Sequence, residues 1–172
     1  VTFKSFKTPL FFAVIAMLAA CGSPTEDAAD SAASSASEPA AASSAVADQI
    51  AARQAGFKKL GKAFKTMSDQ LRSGDADISI LQSAAASVPE ITSGIETWFP
   101  AGTGPDSGVK TDALPAIWEK PEDFAQKVGN FKAAAAALAA AGQTGDVAAI
   151  TAAFRTTGGT CKACHDSYRL DD

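Results

Sequence analysis

The most regular feature of the chain is an apolar position every seventh residue: Ile50, Phe57, Phe64 and Leu71, with Leu60 and Met67 between them. That spacing is the a/d seam of a bundle helix, and it predicts a helix over residues 48–72 with Lys58, Lys59, Lys62 and Lys65 on its other faces. Ser73-Gly74-Asp75 ends it. A second stripe (Ile78, Leu81, Ala85, Val88 and Ile95) predicts a helix over residues 77–98. Pro89 lies inside it and should kink or divide it. Residues 99–120 are dense in glycine and proline and read as a long crossover, with one short turn around Leu114 to Trp118. Pro121 suits a first helical position, with Glu122 and Asp123 favourable in the opening turn. Phe124, Val128, Phe131, Ala135 and Leu138 form the third stripe, which ends near Gly142. Asp146 is the expected N-cap of a last helix whose inner positions are Val147, Ile150, Phe154, Thr157, Cys161, Cys164 and Tyr168. Two short connections and one long one predict an all-α fold over residues 48–172. It is an antiparallel four-helix bundle with its crossover between helices 2 and 3.

The residues before Asp48 follow a different pattern. Lys4 and Lys7 precede an apolar run from Pro9 to Met17, then Leu18-Ala19-Ala20-Cys21. A basic start, a short apolar stretch and small residues before a cut describe a secretory signal over residues 1–20. The run is too short for a transmembrane helix. Leu-Ala-Ala-Cys resembles the lipobox of bacterial lipoproteins, which implies lipidation of Cys21 and an anchored protein on the periplasmic side of a membrane. The other reading is simple cleavage near Ala20, leaving Cys21 as a free thiol. Gly22 and Ser23 are not the aspartate that often retains such lipoproteins in the inner membrane, which favours the outer one. Residues 22–47 are almost wholly Ala, Ser, Pro, Asp and Glu. Such a stretch lacks the apolar surface to offset the entropy of ordering, so residues 21–47 are expected to be a flexible tether reaching about 25–30 Å.

Composition narrows the chemistry. Alanine supplies much of the 47% apolar content, which favours helix over sheet. A net charge of −4 with mixed signs offers no field suited to nucleic acid. Three cysteines and one histidine are the whole stock of soft or borderline metal ligands. Two of those cysteines and the histidine form Cys161-Lys162-Ala163-Cys164-His165, the signature of c-type haem attachment. Two thiols three residues apart on a helical turn can add to the two vinyl groups along one haem edge, and the adjacent imidazole then reaches the iron. A thioredoxin-like pair would need a preceding strand, and a zinc knuckle would need a fourth ligand. A structural disulfide would leave His165 unexplained.

A motif this close to the C-terminus, on the fourth helix of an apolar bundle, resembles the class II c-type cytochromes: cytochrome c-prime and its low-spin relatives. Gly158-Gly159 before the motif, the terminal stretch from Cys161 to Arg169, Arg53-Gln54 on the first helix and Ile117-Trp118 before Phe124 all carry the likeness. It extends over residues 48–169. The resemblance implies one covalent haem c, with His165 as the proximal iron ligand. It also implies Arg53 and Gln54 on the haem propionates and Arg169 beside the proximal pocket, against the plain alternative of solvated surface residues. In the low-spin relatives a methionine three residues after the glutamine supplies the sixth ligand; here that place holds Phe57. Met67 lies ten residues further, about 15 Å along the helix. The expectation is a five-coordinate, high-spin iron with Phe57 over its distal face and also in the core. Two roles remain open: binding small gases, nitric oxide by resemblance and carbon monoxide as a probe, or carrying single electrons to unidentified periplasmic redox partners. The alternative is a low-spin electron-transfer cytochrome with another sixth ligand. No recognisable acid–base pair marks an enzyme. Relatives often pair as homodimers through their first two helices, but no seam here is clear enough to demand it.

Overall fold

The computed structural model describes residues 38–170, with side chains from residue 43 onward. The expected signal, Cys21 and the tether as far as Ser37 lie outside the described residues. Five α-helices follow in order: α1 (Glu38–Arg72), α2 (Ile78–Ile91), α3 (Ala116–Glu119), α4 (Pro121–Thr144) and α5 (Val147–Tyr168). Helices α1, α2, α4 and α5 make the antiparallel four-helix bundle, and α3 is a single turn within the crossover.

The first helix begins ten residues before the expected Asp48, so residues 38–47, assigned to the tether by the sequence, are helical. The added segment is Glu38-Pro39 followed by alanine and serine. Proline suits a first helical turn and alanine has the best helix propensity. Once residues 48–72 are packed, extending the helix backwards needs no new nucleus. Low apolar content predicted disorder, whereas the intrinsic backbone preference favours helix.

The second helix stops at Ile91, two residues past Pro89, and a 3₁₀ turn at Ile95–Thr97 follows. The proline thus divides the segment rather than merely bending it. Asp77 caps α2, its Oδ1 accepting from the amides of Ser79 and Ile80. Asp146 caps α5 in the same way through Ala148 and Ala149. Gly145, left-handed at φ 68°, closes α4. Val147, expected inside, is 38% exposed as the first residue of α5.

The core runs along the predicted stripes: Leu60, Met67, Leu81, Ala85, Val88, Phe131, Ala135, Leu138 and Ile150 are buried in one cluster. Helix α4 packs closely on both α2 and α5, and α1 lies against α2. Helices α1 and α5 approach each other at few points. A bundle that closes on three sides and gapes on the fourth has its site there.

Candidate haem site

Between α1 and α5 lies a cavity of ≈ 640 Å³. That is the size of pockets that take a cofactor. Every predicted site residue within the described part lines it: Arg53, Gln54 and Phe57 on one side, Cys161, Cys164, His165 and Arg169 on the other. The spacing on α5 produces this directly. Residues 161, 164, 165 and 168 fall on one stripe of a 3.6-residue helix, the same stripe that buries Ile150 and Thr157 further back. Gly158, one turn before Cys161, also lines the cavity, and a β-carbon built there would meet nothing within 4 Å.

Electrostatics at the motif match neutral ligands rather than a redox thiol pair. Burial pushes the Cys161 thiol up, and the neighbouring Cys164 adds to the shift. Burial likewise raises Cys164, against the pull of Lys127. Thioredoxin-type pairs depend on a lowered thiol pKa, the opposite of what this site creates. The His165 imidazole is pushed down, first by burial and then by Arg169. A neutral imidazole keeps the lone pair that a metal requires. Both cysteines are free thiols.

On the facing wall the Phe57 ring is held rather than loose. It stands edge-on to Trp98 at 5.1 Å between centroids and 6.1 Å from Phe99. Trp98 comes that close because residue 56 is glycine, where a β-carbon would overlap the indole ring. Met67 is fully buried in the core and does not line the cavity. Position 57, where the resemblance places methionine in the low-spin relatives, carries a phenyl ring with no ligating atom, and the adjacent Lys58 also lines the cavity.

Arg53 has partners that the sequence reading did not foresee. It is 3% exposed, and its guanidinium donates to Thr103 Oγ1 at 2.8 Å, to the Thr103 carbonyl at 2.7 Å and to Thr111 Oγ1 at 2.7 Å. It also lies 4.9 Å from the centre of the Phe99 ring. Gln54 donates to the Lys110 carbonyl at 3.2 Å. Both residues therefore bind α1 to the crossover, which closes one end of the cavity. A signal for this was present: Arg53 sits in register with Ile50, Phe57 and Leu60, and a charge on an apolar seam demands a buried partner. Nothing in the sequence marked Thr103 or Thr111 as that partner. The crossover is held from the other side too, where Leu114 and Leu170 donate backbone hydrogen bonds to Tyr168 and Asp112. Arg169 lines the cavity beside His165 and pairs with Ala113 in an isolated bridge.

Residues 48–169 match the family described as Cytochrome C'. The chain belongs to the cytochrome c′ family. Cytochromes c′ carry one covalently bound haem c, and this chain is a monohaem c-type cytochrome. The residues present fit that group: two thiols and an imidazole face one cavity of sufficient size, with open space before Gly158. Among relatives, the cytochrome c′ of Rhodopseudomonas palustris is 36% identical over 124 residues, 71% of this chain and 82% of that one. Cytochrome c-554 of Cereibacter sphaeroides is 40% identical over 99 residues, 58% of this chain and 68% of that one. Among solved structures, cytochrome c′ from Thermochromatium tepidum superposes with a TM-score of 0.68 at 34% identity, covering 73% of this chain and 97% of that one. A nitric oxide complex of a variant cytochrome c prime from Alcaligenes xylosoxidans has a TM-score of 0.65 at 29% identity, covering 73% and 95%.

Proposed function

We propose that this cytochrome c′ holds a five-coordinate, high-spin haem iron that takes up nitric oxide or carbon monoxide and passes single electrons, and that it is not an enzyme. The observation that carries the reading is the asymmetry of the cavity. One wall supplies Cys161, Cys164 and His165; the other places Phe57, a ring without a ligating atom, at the position that the resemblance assigns to a sixth ligand, beside Gln54 and Lys58. When bound, the haem supplies an iron that changes charge by one electron and accepts a small ligand.

The residues divide the work. Cys161 and Cys164 would hold the haem by thioether bonds, and His165 would bind the iron from the α5 side. Phe57 covers the distal face. Its ring has no hydrogen-bond donor, so it disfavours dioxygen, which needs such a donor for stable binding. A small diatomic needs no such donor, only room between the ring and the iron. Arg53 uses three of its five N–H groups on the crossover. The others, with Gln54, remain to meet haem propionates, and Arg169 flanks His165.

Optical spectra of the ferrous holoprotein test this. High-spin bands that shift on adding nitric oxide or carbon monoxide are expected. A sharp low-spin spectrum indifferent to both gases means that a sixth ligand exists and electron transfer is the sole role.

The location is part of the same proposal. A lipid on Cys21 would anchor the domain on the periplasmic side, in the outer membrane by the identity of Gly22 and Ser23. Among the described residues no helix is long and apolar enough to cross a membrane. Mass spectrometry of the mature N-terminus decides between a lipidated and a free Cys21. Pairing of two copies through the first two helices would use the groove between α1 and α2, lined by Ala63, Ile80, Ala84 and Ile91 together with Lys59, Lys62 and several hydroxyls. Sedimentation with and without gas checks it.

A further inference from the structure

The single tyrosine of the chain lies in this site without a part in attachment, ligation or gas selection. Tyr168 is 3% exposed and lines the same cavity as Cys164 and His165, one helical turn beyond Cys164. Its hydroxyl donates to Asp123 Oδ2 across the α4–α5 interface. Its ring stands edge-on to Phe124 at 5.2 Å, Phe124 lies 5.1 Å from Phe99, and Phe99 lies 6.4 Å from Trp118. Burial, with the Asp123 hydrogen bond second, pushes the phenol pKa up to about 12. At neutral pH the phenol is therefore protonated, and its proton already points at a carboxylate.

A phenol gives up an electron at moderate potential only if its proton leaves in the same event, because the phenol radical cation is a strong acid. A base must stand within hydrogen-bonding distance beforehand, and Asp123 does. Two carboxylates elsewhere on the bundle, Asp69 and Asp166, face lysines or arginine and have no such donor.

We propose that Tyr168 and Asp123 form a proton-coupled electron donor to the haem centre, used when the ferrous protein meets hydrogen peroxide. Peroxide takes two electrons and two solvent protons and leaves as two waters. The ferrous haem, when bound, would supply one of these electrons. The other comes from Tyr168: its O–H bond breaks, the proton moves to Asp123, and a neutral phenoxyl radical faces a neutral carboxylic acid. The pair thus completes a two-electron reduction at a centre with one electron to give, without releasing hydroxyl radical. This inference rests on the haem occupying the α1–α5 cavity as proposed above.

Ferrous holoprotein is mixed with one equivalent of hydrogen peroxide, frozen within milliseconds to seconds and read by electron paramagnetic resonance. Protein grown on ring-deuterated tyrosine is treated in parallel. The expected result is an organic radical beside the ferric signal, narrowed by tyrosine deuteration and abolished in Tyr168→Phe. That variant keeps the ring on Phe124, and an unchanged visible spectrum shows an intact site. Asp123→Asn keeps the tyrosine and should diminish the radical several-fold; it decides the matter if Tyr168→Phe fails to mature. A ferric product with no radical, or a radical that survives Tyr168→Phe or responds to deuterated tryptophan instead, overturns the proposal. Absence of the haem spectrum itself would overturn the underlying site instead.

Discussion

Phe57 is fixed from behind by Trp98 and Phe99, so the ring proposed to cover the iron is a supported one with a limited range of motion. Replacing it with a flexible thioether, Phe57→Met, is expected to move the ferrous and ferric spectra to the low-spin form and weaken carbon monoxide binding. If the spectra stay high-spin, residue 57 does not face the iron. Arg53 belongs to the same scale. Removing its side chain leaves the buried Thr103 carbonyl short of a donor and breaks three charge-assisted bonds. Arg53→Ala is therefore predicted to cost about 2–3 kcal/mol, read from urea unfolding of the holoprotein. Thr111→Val, which removes one acceptor, should cost less and leave haem attachment intact.

Among the elements, the helices are held by caps and by one tie between α4 and α5. Asp77 caps α2, and the hydrogen bond from the Ser79 hydroxyl, chief among several, holds its carboxyl below the ordinary 3.8. A depressed folded-state pKa contributes stability that is present above the unfolded value and lost as pH falls through the folded one. Loosening of α2 is therefore expected only below about pH 3.8, visible as a loss of far-ultraviolet ellipticity. Tyr168 has the opposite sign. Its folded pKa is raised from 10 to about 12, so its contribution is complete below pH 10 and disappears as pH rises through about 12. The α4–α5 contact should weaken in that window, followed by phenolate absorbance, and Tyr168→Phe should remove the dependence. Asp146→Ala, which strips the N-cap from α5, is expected to cost about 1 kcal/mol.

For the whole molecule, the bundle is closed on three sides, and its fourth, between α1 and α5, is a cavity of ≈ 640 Å³. Groups that line such a space lose packing partners unless something fills it. The covalent haem is then a structural member as well as a reactive one. A Cys161→Ala/Cys164→Ala chain, matured without attachment, should melt well below the holoprotein and bind a hydrophobic dye, as scanned by circular dichroism and fluorescence. An equal melting temperature would mean that α1 and α5 close without the haem.

Helix positions, the crossover with its turn near Leu114, the α5 cap and the attachment motif were legible locally, because each depends on a period, a cap or a fixed spacing within one segment. Phe57 was legible as a seam residue, and the structure places it in the same cavity as the motif. The extension of α1 to Glu38 was missed because low hydrophobicity describes burial, while alanine acts on the backbone. The ties of Arg53 to Thr103 and Thr111, the Trp98 ring over Gly56 and the Tyr168–Asp123 pair span 42 to 58 residues. No local pattern can select such partners, because threonine and aspartate look the same in sequence whether they face water or a buried donor. The chain by itself determined which side chains carry the chemistry; only the packing of α1, α4 and the crossover against α5 decided what supports them and what else they touch.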